Sequence, residues 1–380
     1  MPARSDLAHP RDLALVSTGL DLEGGGRALV GRLLARAGAD WARARGARFD
    51  VLTLGNAEPG LIGPIPGRFR AFGTTGKAGF ARIAAAVAGL QLRPRRPALL
   101  FDLLGPARIE AALPSSLRSP YLLCLLGIEV WRPLERARQR ALDGATIRLA
   151  ISRYTLARAR EIHPGLSAEI LPLALEERTP AGTADLPLLD RAGDGFALIA
   201  GRMAESERYK GHDALLEALP RAPEARLVVA GGGDDRPRLE AKAAALGLAD
   251  RVLFTGFVSE ATLAALYDRA ALLAMPSRGE GFGLVYLEAM RAGRPCLAAR
   301  GSAADEVIVD GETGRLVDPE DREELAAALA ALLGSPEVAR RMGAAGKVRW
   351  QREFGYPRFR DRLAGHLDRL TGRATGPREA

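Results

Sequence analysis

Short apolar runs alternate with helical patterns from Leu13 to Phe354, and the alternation stops once and then restarts. Such alternation is the signature of βαβ units and parallel sheets. In the first half, strands are expected at Leu13–Ser17, Phe49–Leu54, Ala98–Asp102, Tyr121–Leu126, Ile147–Ile151 and Glu169–Leu173, with helices such as Arg27–Ala37 and Arg153–Ile162. Residues 174–195 are rich in Pro, Gly and charge and show no sustained period, so they read as an interdomain linker. The second half resumes with strands at Phe196–Ala200, Arg226–Ala230, Val252–Thr255, Leu272–Met275, Pro295–Ala298 and Gly314–Val317. Its helices are expected at Asp213–Leu219, Pro237–Leu246, Glu260–Arg269, Leu284–Ala292, Arg322–Leu333 and Glu337–Phe354. The expected class is α/β, with two Rossmann-like doubly wound domains of residues 1–175 and 196–355 joined by linker 176–195. Ligands of such a chain are expected in a cleft that the domains face across, at the C-terminal ends of the strands.

The chain's 380 residues suit two cores better than one. Only four lysines stand among 54 basic residues, so Arg usage reflects a coding bias and a Lys at a loop carries more information than an Arg. Residues 1–176 hold 25 Lys and Arg against 15 Asp and Glu, whereas the remainder holds 29 against 31. A basic first half suits an anionic partner such as a membrane surface, and equally suits Arg-rich solvated helix faces. Cys124 and Cys296 lie in apolar runs without metal or redox spacing and read as core residues. No apolar run has signal-peptide or membrane-spanning character, which implies a cytoplasmic protein, at most peripheral at the inner face of the membrane.

Three segments of the second half carry chemistry. Gly201-Arg202 through Tyr209-Lys210-Gly211 puts two cations on a loop that opens a helix, a bidentate fork and a point charge fit for a diphosphate. Ser277 through Met290 follows an apolar strand. There Gly281 and Gly283 admit a ligand close to the backbone, and a helix starting near Leu284 offers its free N–H groups to phosphate. Glu280 in the loop and Glu288 inside the helix suit the same crevice. Thr255 through Glu260 is a strand end with Gly256 and a Ser259 N-cap, against which a base fits.

Together these segments resemble family 4 of the retaining glycosyltransferases, enzymes of the glycosyltransferase B fold (glycosyl transferases group 1). The resemblance rests on GRMAESERYKGHD, VVAGGGDD, FTGFVSE, MPSRGEGFGLVYLEAM and VDGETGRLV, in family order over residues 196–355. Glu280 and Glu288 match the family's two glutamates with seven residues between them. The resemblance implies that Arg202 and Lys210 neutralise the leaving diphosphate, that Glu280 bonds the donor sugar and that Glu288 bonds the ribose. It further implies that Phe257 and Val258 flank the base and that the backbone of Phe282, Gly283 and Leu284 meets phosphate or sugar. Catalysis would fall to Glu280, Arg202 and Lys210, with front-face displacement, retained configuration and the leaving diphosphate helping to deprotonate the acceptor.

The first half resembles the family more loosely. Gly24, Gly25 and Gly26 stand where the family's glycine loop closes over the phosphates, which makes Gly25 and Gly26 candidate donor contacts. YLLCLLGIEVWRP is similar to a strand ending in His-Gly-x-Glu, with Leu126 where a His is common, then Gly127 and Glu129. Arg153-Tyr154 fits a Ser-led strand-to-helix turn. The closing segment, residues 356–380, looks like the family's helix that crosses back to the first domain.

FGTTGKAG has Ala71 and Ala78 where a P-loop requires Gly and Ser or Thr, so it is set aside. Neither HExxH nor clustered His and Cys occurs, so no metal and no cofactor is expected; nothing of a nucleic-acid-binding module occurs either. The expected function is transfer of a hexosyl unit from a UDP- or GDP-linked sugar to a glycan or lipid-linked acceptor, in polysaccharide, glycolipid or cell-envelope synthesis. A nucleotide-sugar epimerase of the same fold and a non-catalytic sugar-nucleotide-binding subunit are the alternatives.

Overall fold

A computed structural model describes residues 12–21, 25–57, 60, 62–74, 76–177 and 182–372. The chain divides into two compact units: Met1–Ala174 with Tyr356–Ala380, and Leu175–Gly355.

The first unit runs β1 (Leu13–Ser17), α1 (Gly25–Arg45), β2 (Phe49–Thr53), β3 (Phe69–Ala71), α2 (Gly76–Gln91), β4 (Ala98–Phe101), α3 (Leu104–Ala112), β5 (Tyr121–Leu125), α4 (Arg136–Asp143), β6 (Ile147–Ala150), α5 (Arg153–Ile162) and β7 (Glu169–Ile170). Its seven strands are parallel in the order β3-β2-β1-β4-β5-β6-β7. Every residue of β1, β2, β4 and β5 is buried, as expected of strands covered by helices on both faces. The strand order reverses between β1 and β4. At that point Asp102 is fully buried and accepts hydrogen bonds from the Ser17 hydroxyl at 2.7 Å and the Thr18 N–H at 2.8 Å. Burial pushes its carboxyl up to about 6 against the lowering effect of those bonds.

In the second unit come α6 (Leu186–Ala192), β8 (Ala197–Ala200), α7 (His212–Ala218), β9 (Leu227–Ala230), α8 (Arg236–Ala245), β10 (Val252–Gly256), α9 (Glu260–Arg269), β11 (Leu272–Met275), α10 (Leu284–Arg291), β12 (Cys296–Ala299), α11 (Ala304–Val307), β13 (Gly314–Val317), α12 (Arg322–Gly334) and α13 (Pro336–Arg349). Six parallel strands lie in the order β10-β9-β8-β11-β12-β13, reversing between β8 and β11. The last helix, α14 (Tyr356–Leu370), returns to the first unit and packs on α1. Asp368 anchors it by accepting from the Trp41 indole at 2.9 Å and from both faces of the Arg45 fork at 2.7 and 2.6 Å.

The sequence reading needs several corrections. The expected unstructured stretch 174–195 contains α6, because Asp185 caps the Leu188 N–H at 3.1 Å and Pro187 suits a first helical turn. The first helix extends well past Ala37 to Arg45. The expected Glu169–Leu173 strand pairs only over Glu169–Ile170. The expected helix Glu337–Phe354 is α13 followed by a π-type turn at Trp350–Phe354. Edge strand β3 lacks an apolar signature and was not expected. His9, Gly24, residues 178–181 of the linker and residues 373–380 of the closing segment lie outside the described residues.

Candidate active site

Strand order decides which loops meet. β8 and β11 are neighbours at the point where the second sheet reverses, so the loops leaving their C-terminal ends lie side by side. The β8 loop carries Arg202 and Lys210, and the β11 loop carries Glu280 and leads into α10. The two loops are tied together by the Arg278 N–H donating to the Tyr209 carbonyl at 3.1 Å. The Tyr209 ring also lies over Gly279, where a Cβ would stand only 2.5 Å away. This close approach is what makes glycine necessary at 279. Gly283 is needed for a different reason: it caps α10 with φ of +87°, in the left-handed region.

The charges are interleaved. Arg202 is exposed and Lys210 is largely buried; both pair with the Glu207 carboxylate, Lys210 at 3.0 Å. These two cations hold the Glu207 carboxyl below its ordinary value, outweighing burial, which acts the other way. Glu280 is half-buried, and its Oε1 is shielded from solvent without a hydrogen-bond partner. Burial raises the Glu280 carboxyl, Lys210 opposes the rise, and Glu207 adds to it. His212, at the start of α7, is buried, and burial together with Lys210 pushes its imidazole down to about 4.

Glu288 lies one turn into α10 and accepts from the Tyr267 hydroxyl of α9 at 2.9 Å. Burial raises its carboxyl, whereas that hydrogen bond and Arg291 lower it. Phe257 is 81% exposed just past β10, with its ring against Gly232, and Val258 beside it is half-buried. Phe282 is buried, its ring edge-on to Phe354 at 5.9 Å between centroids, so its side chain is committed to packing. Leu284 is the first residue of α10. Gly25 and Gly26 belong to the first unit, at the exposed start of α1.

Residues 191–349 match the family described as glycosyl transferases group 1. The GDP-mannose-dependent alpha-(1-6)-phosphatidylinositol monomannoside mannosyltransferase of Mycolicibacterium smegmatis is 33% identical over 288 residues, covering 70% of this chain and 74% of that protein. The chain belongs to the glycosyl transferases group 1 family. Another similar member is the D-inositol 3-phosphate glycosyltransferase of Xylanimonas cellulosilytica, 37% identical over 53% of this chain and 49% of that one. Among solved structures, sucrose-phosphate synthase from Thermosynechococcus elongatus superposes with a TM-score of 0.76 at 23% identity, covering 95% of this chain and 99% of that one. WaaG, a glycosyltransferase involved in lipopolysaccharide biosynthesis, gives 0.65 at 18% over 95% of this chain and 100% of that one. These likenesses establish the glycosyltransferase B architecture.

In this group 1 glycosyltransferase, the Leu126-Gly127-x-Glu129 turn follows β5, and Glu129 accepts from the Leu126 N–H at 2.5 Å. The Glu129 carboxylate thus closes its own turn, and burial raises it. Ser152 caps α5 by accepting from the Thr155 N–H, so Arg153 and Tyr154 open the helix. Both cysteines are free and buried. Among the described residues, no cluster of three His, Cys, Asp or Glu side chains is arranged to hold a metal, and no helix is long and apolar enough to cross a membrane. Sequence reasoning missed Glu207, Tyr209 and Tyr267. Glu207 sat in a charge run without a distinguishing spacing, and nothing in the α9 sequence pairs Tyr267 with a glutamate 21 positions away.

Proposed function

We propose that this glycosyltransferase moves a hexosyl unit from a nucleotide-diphosphate sugar to a glycan or lipid-linked acceptor, with retention and without a metal. The observation that carries the reading is the meeting of Arg202, Lys210 and Glu280 at the strand reversal, beside the N-terminus of α10. Cations at that place suit a leaving diphosphate, and Glu280 with its unpartnered Oε1 suits a sugar hydroxyl. Glu288 suits the ribose, Phe257 and Val258 the base, and the backbone at Phe282–Leu284 the phosphate or sugar. Gly25 and Gly26 are proposed as further donor contacts. Charge from Arg202 and Lys210 does the work for which a metal would otherwise serve.

The activity for which the mycobacterial relative is named, with GDP-mannose as donor and a phosphatidylinositol monomannoside as acceptor, favours a GDP-linked hexose and a lipid-linked acceptor. The role would then fall in glycolipid or cell-envelope glycan synthesis, at the cytoplasmic face of the membrane. Support for a peripheral site comes from the first unit. There a cavity of about 530 Å³ beside α2 is lined by Arg68, Arg70 and Arg93 together with Asp50, which pairs with Arg93 at 2.6 Å, and a second cavity shares Arg68 and Arg93 and adds Arg48, Arg95 and Asp12.

The test is nucleotide release from GDP-, UDP- and ADP-sugars with glycan and lipid acceptors, followed by assignment of the product anomer and addition of EDTA. Acceptor-dependent release, an anomer matching the donor and insensitivity to EDTA support the reading. Turnover of a single donor without acceptor points to an epimerase, and donor binding without turnover points to a non-catalytic subunit.

A further inference from the structure

The two cations proposed for the diphosphate already share a carboxylate partner. Arg202 and Lys210 are held by opposite oxygens of one carboxylate, Glu207: Arg202 on Oε1 and Lys210 on Oε2. The Glu207 side chain is only 13% exposed, and its backbone departs from the short 3₁₀ segment around it, with φ of −120°. Its neighbours hold the loop by other means. The Glu205 N–H donates to Asp234 at 2.9 Å, and the Arg208 fork binds Asp235 at 2.7 Å. The Arg278 N–H binds the Tyr209 carbonyl on the far side. Glu207 therefore spends its charge on the two cations rather than on anchoring the loop.

A carboxylate whose two oxygens bind two separate cations imitates a bridging phosphate. We infer that Glu207 is a built-in stand-in for the donor's diphosphate, displaced when the nucleotide binds and returning to expel the nucleoside diphosphate after transfer. This rests on the donor-site reading above and extends it to the release step. A diphosphate has more charge and more acceptor oxygens, so it wins the exchange, but its net affinity is lowered by whatever Glu207 contributed. The Arg202 pair is exposed on its guanidinium side and the Lys210 pair is largely buried; each such pair is modest in net terms, so the penalty is about five-fold in affinity.

The experiment is titration calorimetry of GDP and UDP with the whole chain, for the native protein, Glu207→Gln and Glu207→Asp, with dissociation rates by stopped flow. Glutamine keeps the shape and removes the charge, whereas aspartate is too short to span both cations. The expected result is tighter nucleotide binding by about five-fold in both variants, with slower dissociation and a matching fall in the product inhibition constant. Melting temperatures confirm that each variant is folded, and either variant alone carries the test. Unchanged or weaker nucleotide binding in a folded variant overturns the proposal and makes Glu207 a positioning residue that pre-orders the cations, leaving the donor site itself intact. If the native protein binds neither nucleotide, the donor-site reading and this proposal fall together.

Discussion

The Tyr267 hydroxyl donates to Glu288 Oε2 at 2.9 Å, which joins α9 to α10 through a buried tyrosine and a carboxylate raised by burial. Removing the hydroxyl takes away one of the interactions that favours the ionised carboxylate. Tyr267→Phe is expected to cost about 1–2 kcal/mol of stability, because it leaves a buried acceptor unsatisfied. It should also raise the donor KM several-fold with little change in kcat, since a ribose contact is made equally in ground and transition states. Chemical denaturation and donor titration of the variant check both halves.

Gly279 lies under the Tyr209 ring, where a methyl would stand 2.5 Å from the ring carbons. Gly279 has an ordinary backbone conformation, so the penalty of Gly279→Ala falls on the contact rather than on φ. The tyrosine must shift, and Lys210 follows it in the chain. The variant is expected to lose about 1–3 kcal/mol of stability and at least ten-fold in kcat/KM. Full activity would show that the β8 and β11 loops act independently.

Asp102 makes stability depend on pH in the acid range. Its carboxyl is about 6 in the folded protein against 3.8 as the ordinary value. The folded state therefore holds the proton more tightly than the unfolded state. The contribution is fully present below pH 4 and is lost as pH rises through about 6, amounting to about 3 kcal/mol over the window. Asp102→Asn removes this slope. Urea unfolding at pH 4.5 and 6.5 should show a smaller difference for the variant than for the native chain.

The guanidinium groups of Arg68 and Arg95 have no carboxylate partner among the described residues, and both residues border cavities of the first unit. They precede β3 and β4, at the N-terminal edge of the sheet and opposite the C-terminal strand ends. Arg68→Ala with Arg95→Ala is expected to weaken cosedimentation with phosphatidylglycerol vesicles several-fold at low salt. Nucleotide binding should stay unchanged. Equal sedimentation of native and variant chains would move the basic contribution elsewhere on the first unit.

Much of this architecture was legible in the chain itself. Short continuous apolar runs such as LALVS and LLAM, alternating with helical patterns, suit strands covered on both faces, and each is fully buried. The segments GRMAESERYKG and SRGEGFGLVYLEAM announced charged loops at strand ends and a glycine before a helix, because both are local properties. What stayed hidden was set by chain segments that meet only after folding. α6 formed where composition indicated a linker, since one Asp cap and its packing against α9 outweighed the local Pro and Gly content. Edge strand β3 exists because β2 offers it a partner.

The sequence by itself determined the two parallel sheets and the residue types at the loops, because periodicity and glycine placement act over a few neighbouring residues. Only the tertiary structure decided which of those residues face one another. The adjacency of β8 and β11, strands separated by more than seventy residues, brings Lys210 to Glu280, and a tight turn lays Glu207 between the two cations. Charges interact through space rather than along the chain, so Lys210 acts on Glu280 only once the two loops meet, whereas Glu207 pairs with Arg202 and Lys210 inside one turn of the β8 loop.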